Sequence, residues 1–337
     1  MRWLLQTLLW LVLIGLITAA AAVGFTYYWV HKPLELTKPQ VDVRIPPGTR
    51  PAQIGRLLVD AGVVMPPEAF GWLARLTGQD RTIKAGGYQV SQGDSLADVV
   101  RRMAQGEVTQ RQVTFIEGWT IAQIMQVLAQ HPDVQQTIDP GVLADPRELA
   151  SRVGADEEHL EGLLFPDTYL FSVGSTDQEI LQRALRAQQE ILQQAWQNRA
   201  PNLPLKTPYE ALILASIVEK ETGRADERRR VAGVFINRLR KGMLLQTDPT
   251  VIYGMGDSYD GRIRKADLQR DTPWNTYTRA GLPPTPIASP SKASLEAALN
   301  PEEHDFYYFV SRGDGTSAFS KDLGEHNRNV AKYILGR

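Results

Sequence analysis

The 337-residue sequence contains no cysteine, which excludes disulfides, thiolate zinc sites and a cysteine nucleophile. That absence fits either side of a membrane and leaves the redox compartment open. An excess of one charge is missing as well: 37 basic against 38 acidic residues leave a formal net charge of -1, with no long Lys/Arg run. Such a balance does not steer a chain onto nucleic acid, and no nucleic-acid partner is expected. Histidine is scarce, and the five residues are scattered without HExxH spacing. His304 and His326 read as packing or surface residues, so neither a metal nor another cofactor is expected. A GxSxG elbow is also missing, which disfavours a serine esterase.

What is present is too apolar for a disordered chain, at 43% hydrophobic residues, and too long for one ordinary domain, so about two folded units are expected. Residues 8–30 hold no charged side chain, and a helix of that length would rise roughly 35 Å, enough to cross a bilayer core. Trp3, Trp10, Tyr27, Tyr28 and Trp29 lie toward its ends, where amphipathic rings favour the interface. A cleaved signal peptide is the rival reading, because the alanines at 19–22 offer cleavage sites, but the apolar stretch exceeds a usual signal core. Arg2 and the terminal amine precede the span and His31, Lys32 and Lys38 follow it, so charge sets orientation only weakly. Residues 1–7 are then a short tail, and residues 31–40, with Pro33 and Pro39, a linker.

Three segments share a pattern of strand, glycine turn and helix: residues 41–58 around Gly48-Thr49, 88–103 around Gly93-Asp94-Ser95, and 113–128 around Gly118-Trp119-Thr120. In the second, Ser95 or Asp94 can cap a helix whose apolar face is Leu96, Val99, Val100 and Met103. The run Tyr88-Gln89-Val90-Ser91-Gln92-Gly93-Asp94-Ser95-Leu96 resembles the opening of a LysM module, which implies binding of N-acetylglucosamine-containing glycans. A plain strand-turn-helix packing unit explains the same residues equally well.

Farther along, Thr207-Pro208-Tyr209-Glu210 opens a helix with a cap, a proline in the first turn and a glutamate three residues after the cap. Residues 211–218 are apolar apart from Ser216, so this helix is expected to be buried nearly all round. Gly223 is the expected stop, which puts Glu219, Lys220 and Glu221 in the last turn, where the helix dipole disfavours anions. A carboxyl emerging there from an apolar helix should have a raised pKa, through desolvation and the dipole together, as a general acid requires. Residues two apart on a helix point about 200° from each other, so only one of Glu219 and Glu221 should enter a cleft. Taken bare, both read as readily as solvated helix-end charges.

The run Ala215-Ser216-Ile217-Val218-Glu219-Lys220-Glu221-Thr222 resembles the signature of the YceG-like family of endolytic murein transglycosylases. Further resemblance lies in Val234-Phe235-Ile236-Asn237-Arg238-Leu239, Leu245-Gln246-Thr247-Asp248-Pro249-Thr250-Val251-Ile252-Tyr253-Gly254, Asn275-Thr276-Tyr277 and Gly281-Leu282-Pro283-Pro284-Thr285-Pro286-Ile287. Phe165-Pro166-Asp167-Thr168-Tyr169 and Glu325-His326-Asn327 complete the set, and Ser289-Pro290-Ser291 departs from it, since relatives often carry Asn or Thr before that proline and Gly after it.

The resemblance implies cleavage within peptidoglycan strands at the MurNAc-GlcNAc bond, leaving 1,6-anhydro ends, with Glu221 as the catalytic acid. It also implies a role in ending nascent strands, with peptidoglycan synthases as partners, an inner-membrane anchor and a catalytic part facing the periplasm. Around Glu221, the residues Gln246, Thr247, Asp248, Tyr253, Asn275 and Tyr277 are expected to line the substrate cleft, although Asp248 and Asn275 also suit turns. Glu219 is expected to be structural, paired with Lys220 or another base. The competing function is a non-catalytic scaffold that binds glycan in the envelope.

The remaining pattern reads as α+β, with residues 41–130 as the LysM-like module and 131–337 as the catalytic domain. Thr176-Asp177-Gln178-Glu179 caps a helix with Ile180, Leu181, Ala184, Leu185, Ile191, Leu192 and Trp196 on one face. Asp226 and Glu227 open another, with Val231, Val234, Phe235 and Leu239 inward and Gly242 at its end; residues 306–310 read as a buried strand.

Overall fold

The computed structural model describes residues 2–336, apart from the side chains of Arg2, Leu4 and Leu5. The terminal amine and the Arg2 charge, used above for orientation, therefore lie outside the described atoms. The chain divides into two compact units. One comprises Met1–Arg111, Asp133–Gln135 and Leu170–Ser175; the other comprises Gln112–Pro132, Gln136–Tyr169 and Thr176–Arg337. The two units are interleaved in sequence, with crossings after Arg111 and around residues 133–135 and 170–175.

The first unit begins with α1 (Arg2–His31), which already includes most of the expected tail, since nothing before Leu8 breaks a helix. From Gln6 to His31 it is long and apolar enough to cross a membrane. It is followed by β1 (Glu35–Leu36), β2 (Gln40–Ile45), α2 (Pro51–Ala61), β3 (Val63–Val64), α3 (Ala69–Leu76), β4 (Gly86–Ser91) and α4 (Leu96–Gln105). Within residues 31–40, β1 pairs antiparallel with β3, and Pro33 bridges Ser95. The short strand satisfies backbone groups that a linker would leave to water.

Alternation along β2 buries Val41, Val43 and Ile45, and its antiparallel partner β4 adds Tyr88 and Val90 to the same core. Ile54 and Leu58 of α2 and Leu96, Val99, Val100 and Met103 of α4 close over them. Gly48 and Gly93 take the left-handed conformation at the turns, with φ of 78° and 98°. Ser95 caps α4 in a reciprocal box with Asp98. Asp94 accepts hydrogen bonds from Ser91 N at 2.7 Å and Arg102 Nη2 at 2.6 Å, and the Tyr88 hydroxyl donates to Lys84 O at 2.8 Å. Several polar groups of the LysM-like run are thus engaged in holding the fold.

Two strands, β5 (Gln110–Thr114) and β6 (Thr168–Ser172), pair with each other, and the division between units passes through both. Between them lie α5 (Ile121–Gln130), α6 (Pro140–Ala144) and α7 (Pro146–Val153). The third strand-turn-helix segment is β5 with α5, capped by Thr120, so it does not join the ladder of β2 and β4. Local sequence makes each of the three segments, but pairing partners come from distant chain.

The second unit continues with α8 (Asp177–Gln197), α9 (Pro208–Glu221), α10 (Arg228–Lys241), α11 (Asp248–Met255), α12 (Lys265–Gln269), α13 (Lys292–Leu299), β7 (Tyr308–Ser311), β8 (Ser317–Ser320) and α14 (Leu323–Tyr333). Thr207 caps α9, Pro208 opens it, and residues 211–218 are all buried. Its apolar girth is met by α8, α10, α11 and α13. Ile180, Leu181, Ala184 and Leu185 of α8 are buried, whereas Ile191, Leu192 and Trp196 pack half-exposed on the core. The strand expected at 306–310 is β7, paired antiparallel with β8, and it is half-buried because Tyr308 and Phe309 border an open cavity. Helices with two-stranded ladders make the fold α+β.

Candidate active site

Glu221 is the last residue of α9. Thr222 leaves the helix with φ -145° and ψ 126°, its N–H still bonded to Val218 O, so the stop precedes Gly223 and uses no left-handed glycine. Two residues earlier, Glu219 Oε2 accepts from Ser291 N at 2.9 Å and from the Ser291 hydroxyl. Ser291 itself caps α13, so Glu219 serves a helix terminus and not a base. Lys220 Nζ instead reaches Gly118 O at 3.2 Å. Glu221 turns elsewhere, as 200° of separation demands, and its Oε1 accepts from the Thr247 hydroxyl. Among the described residues nothing hydrogen-bonds its Oε2.

Glu221 borders an open cavity of about 350 Å³ together with Gln246, Asp248 and Tyr277, all expected there, and with Arg238, Tyr308 and His326, which were not. Phe235, Leu245, Phe309 and Leu323 supply apolar wall. Gln246 has φ 48°, a strained conformation for a side-chain-bearing residue, and its N–H bonds Thr276 O at 3.1 Å. That bend leads directly into Thr247 and Asp248 at the start of α11. Thr247 N donates to Thr276 Oγ1 at 3.1 Å, and Tyr277 OH donates to Asp248 Oδ1 at 2.5 Å, so the two runs are stitched together.

Three expected residues do not line the cavity: Asn275, Tyr253 and Thr247, the last of which is buried and meets the site through Glu221. Asn275 is buried, and its Nδ2 donates to the carbonyls of Asp267, Leu268 and Arg270 while its Oδ1 accepts from Tyr277 N at 2.8 Å. It holds the turn after α12 and aims Tyr277, because a buried amide must satisfy its own groups first. Tyr253 lies on α11 and donates to Glu161 Oε2 at 3.1 Å.

Burial pushes the Glu221 carboxyl up to about 7; Asp248 adds to the rise, while the Thr247 hydrogen bond and Arg238 oppose it. Desolvation is the main cause. The Tyr277 phenol is also raised, first by burial and then by its bond to Asp248. Arg238 is buried on α10, with Nε donating to Tyr307 O at 2.6 Å and Nη1 to Leu245 O at 2.7 Å. Its guanidinium lies 5.1 Å from the Tyr308 ring centre, and no carboxylate pairs with it among the described residues. His326 stacks on the same Tyr308 ring, 5.1 Å between centres, and burial with the Arg238 charge lowers its pKa. The legible signal for Arg238 was its place three residues after Phe235 on a buried helix face.

A second buried carboxyl escaped sequence reasoning. Glu161 is 3% exposed, accepts from Ile121 N at 3.1 Å and from Tyr253 OH, and burial raises it to about 7. Its signal was a glutamate set among Leu160, Leu163 and Leu164. No group of three His, Asp or Glu side chains among the described residues could hold a metal ion.

Comparison with known proteins bears on this geometry. An endolytic murein transglycosylase of Bacillus subtilis strain 168 is 31% identical over 315 residues, covering 89% of this chain and 87% of that protein. One from Streptococcus pneumoniae is 29% identical over 357 residues; the match takes in 96% of this chain but 64% of that longer protein. A 2.6 Å crystal structure of a yceG-like protein from Listeria monocytogenes superposes with a TM-score of 0.51 at 31% identity, covering 87% of this chain and 99% of that one. The sequence model of the YceG-like family matches residues 43–332, and the chain belongs to that family.

Proposed function

We propose that the chain is a peptidoglycan lytic transglycosylase that cuts MurNAc-GlcNAc bonds within glycan strands, with Glu221 as its general acid and base. The observation that carries the reading is the Glu221 carboxyl at the edge of a polar and aromatic cavity, held through Oε1 by the Thr247 hydroxyl, with burial pushing its pKa up to about 7. In the first half-reaction neutral Glu221 gives its proton to the glycosidic oxygen, the C1–O bond breaks, and positive charge develops on the MurNAc ring. In the second, the carboxylate takes the proton from that sugar's C6 hydroxyl while O6 closes on C1. Glu221 ends protonated, a 1,6-anhydro ring has formed, and no water is consumed. Positioning the hydroxyl replaces the second carboxylate that hydrolysing glycosidases use.

Thr247 fixes the rotamer of the acid, and the Arg238 charge favours the carboxylate form that the second step needs. Gln246, Asp248 and Tyr277 offer donors and acceptors to sugar hydroxyls and N-acetyl groups. We assign the catalytic part to the periplasmic side of the inner membrane, where it would end nascent strands beside the synthases. The LysM-like run would add glycan affinity in the first unit. Sedimentation with insoluble peptidoglycan left unchanged by Gln89→Ala and Gln92→Ala would make that run structural only.

Asp248 favours a second reading, since a second carboxylate at the same cavity could activate water for hydrolysis. Mass spectrometry of digested strands decides between them: anhydro ends support the transglycosylase, and ends one water heavier support the hydrolase. Sedimentation with no new ends of either kind would leave a glycan-binding scaffold.

A further inference from the structure

The first unit exposes large apolar side chains on α3: Trp72 is 77% and Leu76 75% exposed. At positions i and i+4 they share a helix face, with Arg75 between them. Leu73 and Leu76 line an open, mainly apolar groove whose other wall is α1, through Ala22, Val23, Tyr27 and Val30. Those α1 residues belong to the stretch Gln6–His31 that is long and apolar enough to cross a bilayer. Ala22 lies nine residues before His31, about 14 Å along the helix, so the groove reaches well past the ring of Tyr27, Tyr28 and Trp29 toward the span.

The end of α1 is built into the unit and does not hang from a tether. Val30 is buried in the unit's core, Leu34 N bonds Asp94 O at 2.8 Å, and Pro33 bridges Ser95. A bilayer around α1 must therefore meet whatever stands beside it. We propose that α3 seats this unit on the membrane: lipid fills the groove, Trp72 and Leu76 enter the interfacial layer, and Arg75 reaches the phosphate headgroups. Glu68, exposed one turn before Trp72, bounds the seated face, because its carboxylate stays in water. The inference rests on α1 spanning a bilayer and is independent of the chemistry proposed for the cavity.

The cysteine-free sequence allows a clean test. Trp72→Cys, Leu76→Cys and, as an exposed reference on α2, Asp60→Cys each take one spin label in the full chain. The protein is reconstituted in phosphatidylcholine/phosphatidylglycerol vesicles and recovered by flotation. Labels at 72 and 76 are expected to collide with oxygen, relative to an aqueous nickel chelate, several-fold more than the label at 60. Nickel accessibility at 72 and 76 equal to that at 60 overturns the seat while leaving the anchor intact. Shielding from both reagents also overturns it, because protein, such as a second copy, then covers the face. A chain that fails to float overturns the seat together with the reading of α1, and turnover in the cavity is unaffected by any of these results.

Discussion

Glu221 and Thr247 form the contact on which the proposed chemistry turns. Replacing Glu221 by Gln removes the proton while keeping the shape of the neutral side chain, so turnover is expected to fall about 10²–10⁴-fold with no loss of melting temperature. Strand-end analysis and thermal unfolding of the same preparation check both. Thr247→Val deletes a hydrogen bond that lowers the Glu221 pKa, so the fall of activity on the alkaline side should move to higher pH. A pH profile that keeps its position would show that Thr247 does not tune the acid. The same raised pKa has a stability consequence with a definite sign. Glu161 and Glu221 titrate near 7 when folded, against an ordinary 4.5, so between those values the folded chain holds protons that the unfolded chain has released. Stability should therefore be highest below about pH 4.5 as far as these groups decide it, decline as pH rises to 7, and lose on the order of 3 kcal/mol for each. Glu161→Gln, outside the cavity, should flatten that decline without changing the alkaline limb of activity.

Among the elements, α10 and α13 show how polar groups inside the second unit are held. Arg238 satisfies the carbonyls of Tyr307, Leu244 and Leu245, which tie α10 to the start of β7 and to the approach to α11. Arg238→Met strands those acceptors and is expected to cost about 2–4 kcal/mol, read as a drop in melting temperature. At α13, Ser291→Ala should cost about 1 kcal/mol through the lost cap, and Ser291→Gly only a few tenths were capping its whole role. The Glu219 bond predicts more than that for glycine, and a Ser291/Glu219 double-mutant cycle should reveal the coupling. Sequence reasoning read the caps of α4, α8 and α9 because each is written within a few residues. It could not read that Glu219 meets Ser291, 72 residues away.

At the scale of the whole molecule, α1 separates anchoring from folding. The full chain should stay in the membrane pellet through a high-salt wash, and removal of residues 1–27 should release it while sparing Val30, which belongs to the first unit's core. Removal through Leu36 also deletes β1 and leaves β3 unpaired, so it should lower the melting temperature. Cell fractionation and thermal unfolding distinguish the two truncations. Protease protection should place the second unit outside the cytoplasm, and its shielding on the inner side would reverse the proposed orientation.

Sequence by itself determined what depends on neighbours along the chain: the apolar α1, the buried girth of α9, the three strand-turn-helix segments, and the opposed directions of Glu219 and Glu221. Resemblance to the YceG-like family, not composition, picked out the runs holding Gln246, Thr247, Asp248 and Tyr277. Only the tertiary structure decided that Tyr253 goes to Glu161, that Asn275 is consumed by three carbonyls, and that Arg238, Tyr308 and His326 complete the cavity wall. The reason is physical. Periodicity and capping are set within a turn or two of chain, whereas burial, hydrogen-bond partners and the resulting proton affinity depend on groups tens of residues apart, brought together by packing around α9.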